Sequence, residues 1–101
     1  MKELSRDNYQ EFVGTGTVLV DAWADWCSQC PRMMSILEQV QPEYEGKVKI
    51  GKLNVSNNME LGQSLGVTSL PTLLLYKDGK LVDQKIGIVT KPNLQAWLNQ
   101  A

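Results

Sequence analysis

Residues Thr17 to Ala24 (Thr-Val-Leu-Val-Asp-Ala-Trp-Ala) constrain the fold more than any other stretch of this chain. They are β-rich and nearly all apolar, so they read as a strand buried on both faces. A strand of that kind belongs in a parallel sheet covered on both sides. One charge interrupts it, Asp21. From Cys27 to about Tyr44 the apolar residues Met33, Leu37, Val40 and Tyr44 recur at three- and four-residue steps, which predicts a helix with one core-facing stripe. Pro31 falls in its first turn, where the backbone N–H groups have no partner within the helix. Gly46 punctuates that helix, and Lys47 to Leu53, alternating around Val48, Ile50 and Leu53, predicts a second core strand. Strand, helix and strand make a βαβ unit, whose two strands should be parallel and whose crossover should be right-handed.

The remaining segments extend this unit. Near the start, Asp7 is placed to cap a helix carrying Tyr9, Phe12 and Val13, with Gln10 reaching back as in a capping box, and Gly14 and Gly16 ending it. Asn57 offers a cap for a short helix packed through Met59, Leu61 and Leu65, with Gly66 at its C-terminal end. Thr72 to Tyr76 and Leu81 to Ile88 read as strands joined through Lys77-Asp78-Gly79-Lys80, and Asp-Gly between two strands is a strong hairpin signal. Thr90 can cap a last helix with Lys91 and Pro92 in its first turn and Leu94, Trp97 and Leu98 facing inward. With a weak strand near Leu4, the order is β-α-β-α-β-α-β-β-α. It predicts an α/β fold, a three-layer α/β/α sandwich around a mixed central sheet of four to five strands.

At 101 residues the chain is expected to be one domain, residues 1–101, with a single core. Ten basic residues against eleven acidic ones, with no basic stripe, argue against nucleic acid as a partner. No apolar run approaches the ~20 residues that span a bilayer. The opening Met1-Lys2-Glu3-Leu4-Ser5-Arg6 is not a secretory apolar region, so the expected location is the cytoplasm. Thiols are kept reduced there, and a close cysteine pair is more often catalytic or metal-binding than structural.

The only two cysteines stand three residues apart, in Trp26-Cys27-Ser28-Gln29-Cys30. On a helix, positions i and i+3 lie ~5–6 Å apart, within reach of a disulfide. The pair can therefore open and close without refolding, which suggests thiol–disulfide exchange. A helix N-terminus stabilises an anion and lowers thiol pKa toward the ~3.5–7.5 range, so Cys27 should be the attacking thiolate and the shielded Cys30 the resolving thiol. Other readings exist. A structural staple across so short a loop would remove little entropy from the unfolded chain. A zinc site needs four ligands, and the chain has no histidine, so a metal or cluster would have to be shared across a dimer. A carboxylate in an apolar strand is usually paired, protonated or functional, unless Asp21 turns to solvent at the strand end. Lys52, in the strand expected beside it, is the candidate charge partner. Pro71, after Ser69-Leu70, opens a strand; a cis bond there would leave adjacent backbone free to pair with a substrate strand.

With Trp-Cys-x-x-Cys after a buried strand, the chain resembles the thioredoxin family along its whole length. Ala22-Trp23-Ala24-Asp25-Trp26-Cys27 is similar to the strand entering that family's active site. Asp21 falls on its buried acid, Lys52 within Lys52-Leu53-Asn54 on the lysine beside that acid, and Leu70-Pro71-Thr72 on its cis-proline loop. Lys77-Asp78-Gly79 and Gly87 match the late hairpin and the glycine lining the binding groove. The resemblance implies a monomeric protein-disulfide reductase. In it Cys27 attacks and Cys30 resolves, while Asp21, acting through water and tuned by Lys52, moves the proton of Cys30. Trp26, Ser28, Gln29, Leu70, Pro71, Gly87 and Ile88 would bind the substrate, and Trp23 would be scaffold. No bound cofactor or metal is implied, since the Cys27–Cys30 dithiol is itself the redox centre. Electrons would come from a thioredoxin reductase or an equivalent donor.

Three positions depart from the family pattern: Ser28-Gln29 where it has Gly-Pro, Pro31 where it has a basic residue, and Ser35 where it has a helix-kinking proline. The first two bear on the reduction potential and keep a disulfide oxidase or isomerase open as the alternative, besides a binding or assembly module that uses the fold and not its thiols. The third predicts a straighter helix.

Overall fold

The computed structural model describes all residues, Met1–Ala101. Its elements follow the predicted order: β1 (Lys2–Leu4), α1 (Tyr9–Val13), β2 (Thr17–Trp23), α2 (Cys30–Val40) with a 3₁₀ turn at Gln41–Tyr44, β3 (Val48–Asn54), α3 (Met59–Ser64), β4 (Thr72–Lys77), β5 (Lys80–Ile86) and α4 (Lys91–Asn99). One five-stranded sheet runs in the order β1-β3-β2-β4-β5. β1 and β2 pair parallel to β3, while β4 runs antiparallel to both β2 and β5. The expected mixed sheet and the parallel β2–β3 pair are both present.

Strand alternation sorts the core into two layers. Leu19, Ile50, Leu73 and Leu75 face α2 and α4, packing with Met33, Leu37, Val40, Leu94, Trp97 and Leu98. Val18, Val20, Leu53, Leu74 and Tyr76 face the opposite way and pack with Tyr9 and Val13 of α1, and with Leu61 beside them on α3. The Tyr9 and Tyr76 hydroxyls share a hydrogen bond of 2.7 Å across that second layer. Together these layers make the α/β/α sandwich.

Several local expectations are corrected. The short α1 has no side-chain cap: Asn8, not Asp7, precedes it, and the Asn8 side chain instead accepts from the Ser5 N–H at 2.8 Å. α2 begins at Cys30, since Cys27 to Gln29 form a turn closed by the Cys30 N–H on the Cys27 carbonyl at 3.4 Å. Its α-helical run stops before Pro42, whose ring would clash with the carbonyl four residues earlier. α3 follows Asn58 rather than Asn57, and no side chain caps it. The Asn58 amide is engaged elsewhere, donating to the Asn54 carbonyl at 3.0 Å. Met59 does not pack inward but stands 64% exposed. It precedes Leu61 by two residues, which at ~100° per residue turns it away from the face carrying Leu61 and Leu65.

Other signals are read correctly. Asp78 and Gly79 adopt φ of 49° and 87°, the left-handed pair of a tight hairpin turn. Thr90 caps α4 by accepting from the Asn93 N–H at 3.4 Å. Ser35 lies exposed on α2.

Leu37 is fully buried on the inner face of α2. Leu37→Ala should lower unfolding free energy by about 2–5 kcal/mol, whereas Ser35→Ala on the exposed face should change it by less than ~0.5 kcal/mol. Urea denaturation of the two variants measures the contrast, and equal effects would contradict the orientation of α2.

Candidate active site

The site forms where three strand ends meet. In register, Ala22 pairs with Leu53 of β3 and with Thr72 of β4, and Thr72 pairs with Ile86 of β5. The chain leaving β2 toward Cys27, the Pro71 that opens β4 and the Gly87 that closes β5 are thereby brought to one end of the sheet. The Gly87 N–H donates to the Pro71 carbonyl at 2.8 Å, joining two of these segments directly. Gly87 has a φ of 89°, which favours glycine there. The Leu70–Pro71 peptide is cis.

Cys27 and Cys30 form a disulfide with their Cα atoms 5.5 Å apart. The two sulfurs are not equivalent in access. Cys27 retains 9% exposure beside Trp26, which is 73% exposed, while Cys30 retains 2% under the first turn of α2. The backbone N–H groups of Ser28 and Gln29 have no backbone acceptor, so they are free to face an anion at the turn. A cleft of about 300 Å³ opens beside the pair, lined by Cys27, Cys30, Trp23, Asp25, Met34 and Lys52 among others.

Asp21 lies on the α2-facing side of β2, two residues beyond Leu19, and is completely buried. It does not turn to solvent. Lys52 is its register partner across the parallel pair, as the sequence suggested. Both Asp21 carboxyl oxygens nevertheless lack a hydrogen bond, and the molecule's one close ion pair is elsewhere, Lys91 with Glu43 at 3.5 Å. Burial therefore dominates and pushes the Asp21 carboxyl up to about 7, although the Lys52 charge pulls it down.

Of the remaining candidates, Trp26 borders a separate apolar hollow with Val55, Met59, Gly62 and Val67. Ser28 and Gln29 are exposed, Leu70 and Ile88 are half-buried, and Pro71 is buried at the start of β4. Sequence reasoning missed the polar cluster that braces the loop before Cys27. There the Asn54 amide donates to Asp25 at 3.4 Å, the Ser56 hydroxyl donates to Asn54 at 2.7 Å, and the Asp25 N–H donates to Ser56 at 3.4 Å. Asn54 ends β3 and Ser56 stands two residues beyond it, an ordinary turn composition that carries no separate signal. No group of three or more His, Cys, Asp or Glu side chains is placed to hold a metal.

The raised carboxyl has a definite effect on stability. Folding favours neutral Asp21, so as pH rises from about 4 to about 7 the unfolded chain ionises freely while the folded one must keep its proton, and stability falls. Asp21→Asn should therefore stabilise the oxidised protein by an amount that grows across that window and then levels off, at up to about 4 kcal/mol. Urea midpoints of both proteins between those limits test this. A difference that does not change with pH would contradict it.

Comparison with known proteins agrees with this geometry. The thioredoxin family model matches residues 1–100. A thioredoxin of Chlamydia caviae is 39% identical over 100 residues, covering 99% of this chain and 97% of that protein. One of Pseudomonas aeruginosa is 42% identical over 84 residues, covering 83% of this chain and 78% of its own. Among solved structures, a thioredoxin of Malassezia sympodialis superposes with a TM-score of 0.91 at 26% identity, covering 99% of this chain and 89% of that one. With an oxidisable Cys-x-x-Cys pair at the end of the central strand and relatives of this closeness along nearly its whole length, the chain belongs to the thioredoxin family, the protein-disulfide oxidoreductases that act by thiol–disulfide exchange.

Proposed function

We propose that this chain works as a reductase of protein disulfides, as one domain over residues 1–101, with Cys27 as nucleophile and Cys30 as resolving thiol. The observation that carries the reading is the unequal access of the two sulfurs, together with a buried, unpaired carboxylate on the strand that leads to them. Starting from the dithiol, the Cys27 thiolate attacks one sulfur of a substrate disulfide; that S–S bond breaks and the first substrate thiolate leaves. Cys30 gives up its proton to Asp21 through water and attacks the Cys27 sulfur of the mixed disulfide. The Cys27–Cys30 bond forms as the bond from Cys27 to the substrate sulfur breaks, and that sulfur leaves as a thiolate that takes the proton back from Asp21 through water. Two electrons pass to the substrate, and the Cys27–Cys30 disulfide remains. A carboxyl balanced near neutrality is suited to accept and return that proton. Lys52, beside it in register, keeps the anionic form accessible.

Trp26, Ser28, Gln29, Leu70, Pro71, Gly87 and Ile88 are the surface on which an extended substrate segment would dock. The protein would act as a monomer in the cytoplasm, re-reduced by a thioredoxin reductase or an equivalent donor, with the dithiol as its own redox centre. No helix is long and apolar enough to cross a membrane.

The free N–H groups of Ser28 and Gln29 and the proline at position 31 bear on the direction of exchange, so direction requires its own test. Equilibration with glutathione buffers should give a potential near thioredoxin's ~-270 mV, while one near the ~-120 mV of a strong oxidase would overturn the reductase reading. For the residue roles, Cys27→Ser should abolish reduction of a protein disulfide, and Cys30→Ser should accumulate mixed disulfides that mass spectrometry detects. Full activity in Cys27→Ser would sink the mechanism.

A further inference from the structure

We propose that Met33 is a positioning residue for substrate docking, its thioether sulfur tethering the Gly87–Val89 segment to the active-site helix. The inference rests on the docking surface assigned above. Between the end of β5 at Ile86 and the start of α4 at Lys91, the chain crosses the site end of the sheet without strand pairing. Its N–H groups are held at only two points. At one end the Gly87 N–H donates to the Pro71 carbonyl at 2.8 Å. At the other, the buried Val89 N–H donates to Met33 Sδ at 3.4 Å, across 56 residues of sequence. The three-residue strap is thus pinned on one side to Pro71, just before β4, and on the other to α2, one turn beyond Cys30.

Packing alone does not ask for sulfur at position 33. Met33 is fully buried among Leu19, Leu37, Leu73 and Leu94, and leucine would fill a comparable volume. What leucine cannot do is accept a hydrogen bond. Thioether sulfur is a weak acceptor, but the alternative for Val89 is a buried N–H with no partner, and leaving such a donor unmade costs more than making the bond returns. The strap carries Gly87 and Ile88, so loosening it disturbs the rim that receives an extended peptide. The Cys27–Cys30 turn is held by other contacts and is left in place.

The test compares wild type with Met33→Leu in two assays. Val89 amide hydrogen exchange should accelerate about three- to tenfold in the variant, the range expected for a single lost hydrogen bond. The KM for insulin as a protein disulfide should rise by a similar factor with kcat unchanged, and reduction of dithiobis-nitrobenzoate, too small to span the rim, should stay at the wild-type rate. Selenomethionine labelling keeps a chalcogen acceptor and should leave Val89 as protected as in wild type. Unchanged Val89 exchange in Met33→Leu overturns the tether, as does an equal loss on both substrates, which would mark simple destabilisation. If the reductase reading itself were wrong, the glutathione equilibrium would show it separately through an oxidising potential, and the Val89 exchange comparison would still decide the role of Met33.

Discussion

Strand β2 is hydrogen-bonded along both edges, parallel to β3 and antiparallel to β4, and the site exists because of that double pairing. The parallel partner delivers Lys52 beside Asp21 and ends level with Trp23. The antiparallel partner begins at that same level, so Pro71 arrives opposite the chain that leads to Cys27. Two parallel neighbours could not have done this, since their starting ends would lie at the far edge of the sheet. The mixed sheet, with its change of strand direction beside the central strand, is what gathers cysteines, proline and glycine at one end.

Pairing also decides which way each side chain looks. Asp21 shares the face of Leu19, so the strand that supplies the core also aims a carboxylate under α2. Nothing in the fold satisfies that carboxylate, and its neighbour Lys52 acts at a distance too long for an ion pair. Burying an unpaired polar group is unfavourable, so this is a site where stability is given up locally while the surrounding leucines and valines hold the sandwich together. A carboxyl satisfied by direct hydrogen bonds would stabilise the fold better and exchange protons less readily near neutrality.

Most of the architecture was legible because it rests on short-range signals. The apolar run of Thr17 to Ala24, the Asp78-Gly79 turn and the Thr90 cap each carry their own local chemistry, and the structure honours all three, with β2 ending one residue earlier at Trp23. The pairing of Asp21 with Lys52 was legible as well, since a buried βαβ unit places its strands side by side. Local errors arose where the chain is short and polar. Asn8 and Asn58 spend their amides on backbone groups three to five residues upstream, outside the helices they precede. Met59 looked like core because it lies in a sparse apolar pattern, but two residues from Leu61 it falls on another face of the short α3. The Met33–Val89 contact and the Asp25–Asn54–Ser56 cluster were invisible because they join distant positions through groups with no pattern in sequence.

Burial without a partner, rather than pairing with Lys52, governs the Asp21 carboxyl, the group proposed to take the Cys30 proton. Titration of the Asp21 side-chain carboxyl carbon by NMR in the oxidised protein, where no thiol titrates nearby, measures this directly. A midpoint near 7 is the predicted result. A midpoint near the ordinary carboxylate value of ~3.9 would show that Lys52 or water satisfies the group, and would contradict the account.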